Sequence, residues 1–259
     1  MTQTGASAWA VLGDAVWRAD ALGGTPGATM ASGHAALDAV LPGGGWPLDA
    51  VSEVLQPPGL HAEWQLLLPA LVRLQQTGAG ALVLVGPPHL PFGPALQAQG
   101  LAVQRLLCVQ VAEPSARLWA AEQALRCAGV QAVLAWLPQV RADHLRRLQV
   151  AAQMHRKPLF ALRPSPAQAE SSPAVLRLLL ACAPANPARP AQDADALRLH
   201  VLKRRGPPLA QPLLLSGRRG RLYAGQVRPM PPELWMAATA PGPVDDGEGH
   251  ALDRLAATA

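Results

Sequence analysis

Residues 33–65 read GHAALDAVLPGGGWPLDAVSEVLQPPGLHAEWQ, and this stretch decides the fold. Three consecutive glycines at 43–45 form a turn signal, and a short apolar run follows at 51–55. From about 61 to 76 the leucines recur every three or four residues, which is the spacing of a helix. A glycine-rich turn, a strand and a helix in this order predict the first unit of an α/β domain.

The pattern of an apolar run followed by an amphipathic stretch recurs up to residue 162. Further strands are predicted at 81–85, 106–111, 132–137 and 158–162. Further helices are predicted at 114–127 and 142–157. Strands that are apolar throughout, separated by amphipathic helices, indicate a parallel sheet covered by helices on both faces.

The pattern changes after Arg163, where strands follow one another without helices between them. They are predicted at 176–182, 197–203 and 212–215. This favours an antiparallel extension on the C-terminal side of the mostly parallel sheet. We therefore divide the chain into an N-terminal segment at 1–28, a core at 29–225 and a tail at 226–259. The tail is rich in Pro, Ala, Gly and Asp, and we predict that it is flexible.

The composition limits the class of protein. The 259 residues fit one α/β domain with tails, or at most two small domains. No apolar run reaches the roughly 18 residues of a membrane span, and residues 1–20 lack the basic start of a secretory signal. These features predict a cytoplasmic protein. The three cysteines lie far apart in apolar stretches and are predicted to be buried rather than to bind metal: Cys108, Cys127 and Cys182.

The stretch 33–65 resembles the RecA superfamily, in which the same elements precede a phosphate loop. The matching elements, in order, are Leu37-Asp38, the glycines at 43–45, Pro47 and Glu53. The resemblance implies a RecA-like core. A functional phosphate loop would come next, with glycines around the phosphates, a lysine on the β- and γ-phosphates and a hydroxyl group for Mg²⁺.

The phosphate loop is degenerate in this chain. The residues at its positions are Gln56, Pro57, Pro58, Gly59, His61, Ala62 and Glu63. Ala62 stands where the lysine belongs, Glu63 replaces the hydroxyl residue, and no lysine occurs before Lys157. Trp136 ends the strand where an active relative has a Mg²⁺-binding aspartate. We expect no ATPase or other enzymatic activity, no cofactor and no metal.

Among degenerate relatives, the chain resembles the ImuA family of mutagenesis accessory proteins. The matching stretches are GHAALDAVLPGGGWPL (33–48), LWAAEQALRCAGVQAVLAWL (118–137), LRRLQVAA (145–152) and LRLHVLKRRGPP (197–208). The resemblance implies an adaptor in translesion DNA synthesis during the SOS response to DNA damage, located at the nucleoid. Its implied partners are RecA, the inactive Y-family polymerase relative ImuB and, indirectly, an error-prone replicative-type polymerase. It further implies that the chain limits or redirects RecA filaments.

Candidate contact residues lie in the C-terminal third. Residues 196–232 contain eight Arg or Lys and no acidic residue, and the net charge of the chain is +5. Such a block favours contact with RecA or single-stranded DNA, although a solvated strand end is an equal alternative. The candidates are Lys203, Arg204, Arg205, Arg218, Arg219 and Arg221. Leu234 and Trp235 form an apolar island in the tail and are candidates for partner docking.

Two other functions stay open from the sequence. The first is a SulA-type cell-division inhibitor, which has a reduced RecA-like fold and acts on the tubulin-like division protein. The second is a DNA-binding module that acts alone. Trp119 and Trp136 lie in core-like stretches, and both are expected to be buried.

Overall fold

The computed structural model describes residues 27–183 and 196–215. The strands are β1 (Thr29–Met30), β2 (Trp46–Pro47), β3 (Val51–Gln56), β4 (Ala81–Val85), β5 (Leu106–Val109), β6 (Val130–Trp136), β7 (Leu159–Pro164), β8 (Leu176–Cys182), β9 (Leu197–Lys203) and β10 (Leu213–Leu215). The α-helices are α1 (Ala35–Asp38), α2 (Glu63–Thr77), α3 (Gly93–Ala98), α4 (Pro114–Arg126) and α5 (Ala142–His155). Short 3₁₀ turns occupy Pro42–Gly44, Val103–Arg105 and Ser165–Ala169.

Eight strands form one sheet in the order β10-β9-β8-β3-β7-β6-β4-β5. The six strands from β8 to β5 are parallel to one another. β9 pairs antiparallel with β8, and β10 pairs antiparallel with β9. The mixed α/β class, the mostly parallel sheet and the antiparallel extension on its C-terminal side are therefore confirmed.

Helices cover both faces of the parallel part of the sheet, as predicted. On one face, α2 packs Leu66, Leu67 and Leu71 into a core that also contains Trp46 and Phe160. The rings of Trp46 and Phe160 meet edge to face, with centroids 5.3 Å apart. The opposite core is built from alanines and leucines of α4 and α5 against the valines of the strands. Each fully buried Leu or Phe contributes about 1.5–3 kcal/mol, so these two layers hold the sheet between the helices.

Trp119 and the cysteines do not lie where the sequence predicted. The Trp119 side chain is 65% exposed, because α4 turns its alanines rather than this ring toward the sheet. All three cysteines are exposed as well. Cys108 lies in the edge strand β5, Cys127 follows the last residue of α4, and Cys182 ends β8. Residues at strand edges and element ends are solvated even when their neighbours in sequence are apolar. Trp136, by contrast, is buried as predicted.

The described helices are all too short or too polar to cross a membrane. The predicted divisions at 28/29 and 225/226 are not tested by the described residues. The N-terminal segment up to residue 26 and the predicted tail at 226–259 lie outside them. The division of the chain into segment, core and tail therefore stays a prediction.

A substitution at Gly45 tests how closely the triple-glycine turn packs against β1. A Cβ atom at position 45 would overlap the carbonyl oxygen of Met30 in β1. We expect Gly45→Ala to lower the free energy of unfolding by about 1–3 kcal/mol, because backbone cannot move aside as a side chain does. Gly93→Ala is the matched control, since a Cβ there meets nothing within 4 Å. Urea denaturation should show a shift within about 0.5 kcal/mol for the control, and equal losses in both variants would contradict this packing.

Candidate functional site

The degenerate phosphate loop lies at the carboxyl edge of the sheet, between β3 and α2. Its two ends are joined by hydrogen bonds of Gln56, the last residue of β3. The Gln56 Nε2 group donates to Glu63 Oε2 at 3.1 Å, and the backbone N–H of Ala62 donates to Gln56 Oε1 at 3.3 Å. Gln56 and Glu63 are both buried. The side chains of the loop therefore occupy the space in front of the first turn of α2.

In this arrangement the Glu63 carboxylate lies at the N-terminus of α2. Glu63 is in the first turn of α2, where the helix dipole favours a negative group. A phosphate would meet this carboxylate and a backbone amide already used by Gln56. Pro57 and Pro58 supply no N–H donor, and Gly59 turns the chain with a positive φ of 80°. The local chemistry of the loop opposes an anion rather than attracting one.

A buried ion-pair cluster lies behind this loop, and the sequence analysis did not identify it. Glu53 of β3 is fully buried and is held by two arginines from neighbouring strands. Arg163 Nη1 of β7 lies 2.8 Å from Glu53 Oε1, and Arg177 Nε of β8 lies 2.5 Å from Glu53 Oε2. The arginine side chains are only 1% and 8% exposed. The cluster thus connects three adjacent parallel strands by charge.

Other donors of the two arginines bind the chain around the cluster, although Arg163 Nε has no hydrogen-bond partner among the described residues. Arg163 Nη2 donates to the carboxylate of Glu170 at 2.6 Å and to the carbonyl of Val140 at 3.0 Å. Arg177 donates to the carbonyls of Glu170 and Ala167 at 3.0 and 2.8 Å. A buried charge is tolerated when it is paired and hydrogen-bonded in this way. These contacts fix the turn after β7 against the sheet and give the cluster a structural role.

The loops at the carboxyl edge also expose an apolar surface. We define the edge patch as His61, His89, Leu90 and Phe92. Leu90 and Phe92, between β4 and α3, are 66% and 63% exposed. The ring of His89 contacts that of His61 edge to face, with centroids 5.0 Å apart. The contact joins the degenerate loop to the loop after β4. This surface is suited to bind protein rather than phosphate.

Several large apolar side chains are exposed elsewhere on the described surface. The large hydrophobic residues exposed among the described residues are Leu90, Phe92, Leu107, Trp119, Val150, Met154, Leu202 and Leu214. Six of these eight fall between residues 50 and 157. An exposed aromatic or methionine side chain costs solvation energy in the free protein, and it is enriched where proteins bind one another.

The candidate basic residues 203–205 are partly engaged within the fold. Lys203 Nζ donates to the carbonyl of Ser172 at 2.9 Å, and partial burial beside Arg177 lowers the pKa of the Lys203 ammonium group. Arg204 donates to the carbonyl of Val40 and, at 2.9 Å, to that of Pro207. Arg205 is exposed and lines a cavity of about 310 Å³ together with Asp49. Two of these three cations therefore hold β9 and the turn after it in place.

The other predicted contact residues lie outside the described parts of the chain: Arg218, Arg219, Arg221, Leu234 and Trp235. Within residues 27–183 and 196–215, no three His, Cys, Asp or Glu side chains are grouped so that they could hold a metal ion. The described site is thus a loop closed by its own side chains, a buried charge cluster behind it and an apolar patch beside it.

Comparison with known proteins finds similarity over the central part of the chain. The model of the family "Cell division inhibitor SulA" matches residues 50–157. The cell division inhibitor SulA of Edwardsiella piscicida is 33% identical over 99 residues, and that of Yersinia pestis (strain Pestoides F) is 31% identical over 100 residues. These matches cover 38% and 39% of this chain. The chain spans 59% of the length of these curated relatives.

A solved structure of a SulA protein also shows partial similarity to the chain. The crystal structure of SulA from Pseudomonas aeruginosa is 29% identical in sequence and is covered over 97% of its length, with a TM-score of 0.38. The match covers 44% of the present chain.

These comparisons overturn the assignment to the ImuA family. Two of the stretches that suggested it, residues 118–137 and 145–152, lie inside the region that matches the SulA model. Both stretches contribute alanines and leucines of α4, β6 and α5 to the core. The adaptor role in translesion synthesis and the partners RecA, ImuB and the error-prone polymerase are therefore wrong as predictions. Over residues 50–157 the chain is similar to the cell division inhibitor SulA.

Proposed function

We propose that this protein is a cell-division inhibitor of the SulA type, made during the SOS response, that acts by binding the tubulin-like division protein. The observation that carries the proposal is the match of residues 50–157 to the SulA family model. The same stretch contains the whole edge patch. The edge patch therefore lies within the region of similarity.

The proposed mode of action is binding without catalysis. Gln56 and Glu63 close the loop where an ATPase would hold its phosphates, and the backbone N–H of Ala62 is already bonded to Gln56. We propose accordingly that the protein hydrolyses no ATP and needs no cofactor. A RecA-like core is part of the same proposal, and it is supported by the succession of central strand, degenerate loop and helix in β3 and α2.

The edge patch supplies the proposed contact with the division protein. Leu90 and Phe92 stand on a loop anchored at both ends by β4 and α3, so little ordering entropy is lost when they bind. Burial of each side chain contributes about 1.5–3 kcal/mol. The two together supply about 3 kcal/mol or more, which corresponds to at least a 100-fold effect on Kd. An inhibitor that occupies a subunit surface of a filament-forming protein removes that subunit from assembly.

Expression in a dividing bacterium tests the proposal. We expect induction of the full chain, without DNA damage, to give filamentous cells that contain separated nucleoids and lack division rings. Normal cell length at a high level of soluble protein would contradict the proposal.

A further inference from the structure

The outer surface of α4 and α5 forms a second exposed apolar feature, separate from the edge patch. We define the helical groove by two stripes of residues. On α4 the stripe is Trp119, Glu122 and Arg126, and on α5 it is Arg147, Val150 and Met154. The members of each stripe are three or four residues apart, which places them on one side of their helix.

The groove consists of two hollows on either side of an ion pair. Glu122 Oε2 and Arg147 Nη2 lie 2.8 Å apart and bridge the two helices. The hollow beside Trp119 has a volume of about 430 Å³, and its wall includes His144 and Leu148. The hollow beside Val150 and Met154 has a volume of about 330 Å³. Together they form an elongated depression between two helices.

The apolar side chains in this groove face water. Trp119 is 65% exposed, Val150 is 51% exposed and Met154 is 72% exposed. The outward stripe of a helix that packs on a sheet is normally polar. Trp and Met are enriched in the cores of protein interfaces, where each buries a large apolar area. The composition of the groove is that of a binding surface.

The charges around the groove identify the kind of partner. Four guanidinium groups surround it, against two carboxylates: Arg126, Arg141, Arg146 and Arg147, with Glu122 and Asp143. Glu122 is already paired with both Arg126 and Arg147, and Asp143 lies 3.4 Å from Arg141. Arg146 has no ion pair within the described residues. The surface therefore attracts negative charge, and it would repel a second copy of itself.

A protein segment fits this surface better than a nucleic acid does. Val150 and Met154 offer aliphatic contact that a sugar-phosphate chain does not use. A hollow between two helices accepts the apolar face of a third helix. We propose that the helical groove docks an acidic, amphipathic helix of a protein other than the tubulin-like division protein.

Site-specific cross-linking in cells tests this inference on the full chain. A photoreactive benzoylphenylalanine is placed at position 119, and the cross-linked peptide is identified by mass spectrometry. We expect a partner peptide with net negative charge and apolar residues spaced three or four apart. Arg146→Glu in the same chain should reduce the yield at least 10-fold, because it reverses an unpaired charge. The same probe at Leu214, which is 57% exposed on β10, is the control and should not give this product.

A synthetic peptide with the sequence of the cross-linked partner segment is then titrated with the full chain to measure its Kd. We expect Trp119→Ala combined with Met154→Ala to raise its Kd at least 10-fold, while the thermal stability of the chain and its division block stay unchanged. No cross-link, or a cross-link to the chain itself, to nucleic acid or to a peptide without net negative charge would overturn the proposal. Loss of the division block in the double variant would contradict a separate partner.

Discussion

Replacement of Glu53 by alanine is expected to lower the free energy of unfolding by about 3–5 kcal/mol. The substitution leaves Arg163 and Arg177 buried without their shared carboxylate. Their side chains are 1% and 8% exposed, so water cannot take over the lost contacts unless the sheet opens. Removal of one member of a buried ion pair costs more than the pair contributes when it is intact, because the charge that remains is uncompensated.

Glu122→Ala provides the matched control for this experiment. Glu122 is also paired with two arginines, at 2.6 and 2.8 Å, but those arginines are 54% and 68% exposed. Solvent screens such pairs, so the control should lose about 1 kcal/mol or less. Urea denaturation measures both variants, and Glu53→Gln serves if the alanine variant does not accumulate as folded protein. A loss below about 1 kcal/mol for Glu53 would mean that the cluster does not stabilise the sheet.

The second large effect is expected at the edge patch. Leu90→Asp combined with Phe92→Asp should weaken binding to the tubulin-like division protein at least about 100-fold, because two apolar contacts are lost and two charges would be buried. Both side chains are more than 60% exposed, so the fold should be preserved. The expected result in cells is normal division at a protein level that blocks division for the unchanged chain.

Leu202→Asp combined with Leu214→Asp is the matched pair of controls. These leucines are also exposed, at 41% and 57%, but they lie in β9 and β10, outside the stretch similar to SulA. We expect this variant to block division as the unchanged chain does. Equal binding by both double variants, measured by titration calorimetry, would show that the edge patch is not the contact.

Much of the fold follows from the order of apolar runs in the sequence. The predicted strands at 81–85, 176–182 and 197–203 have the bounds found in the structure. Residues 81–85 are a continuous apolar run that ends at Gly86, and residues 197–203 alternate apolar and polar side chains, so each segment shows a strand pattern. The helix α3 was not predicted. It spans only Gly93–Ala98, which is too short to show a helical spacing of apolar residues.

The position of an exposed side chain depends on packing that the sequence does not display. Trp119 lies among apolar residues, yet the alanines of α4 form the contact with the sheet and leave the ring outside. A tryptophan side chain is large, and it can lie in the core only where the neighbouring elements leave enough space. Here α4 and α5 both contribute small residues, such as Ala120 and Ala151, to the core on this face of the sheet.

The candidate site was predicted only in part. The degenerate loop was evident from Ala62 and Glu63, since a phosphate loop has fixed residue types at those positions. The charge cluster was missed because Glu53 lies 110 residues from Arg163 and 124 from Arg177 in the sequence. Its one available signal was an arginine inside each of two otherwise apolar strands. The partner was assigned incorrectly because two of the stretches used for it, residues 118–137 and 145–152, lie inside the region that matches the SulA model.

The most direct test of the central claim measures the effect of the purified chain on GTP hydrolysis and assembly of the tubulin-like division protein. We expect the unchanged chain to suppress both in proportion to its concentration, and the Leu90→Asp, Phe92→Asp variant to suppress neither. Unchanged hydrolysis and assembly with excess folded chain would contradict the assignment as a cell-division inhibitor.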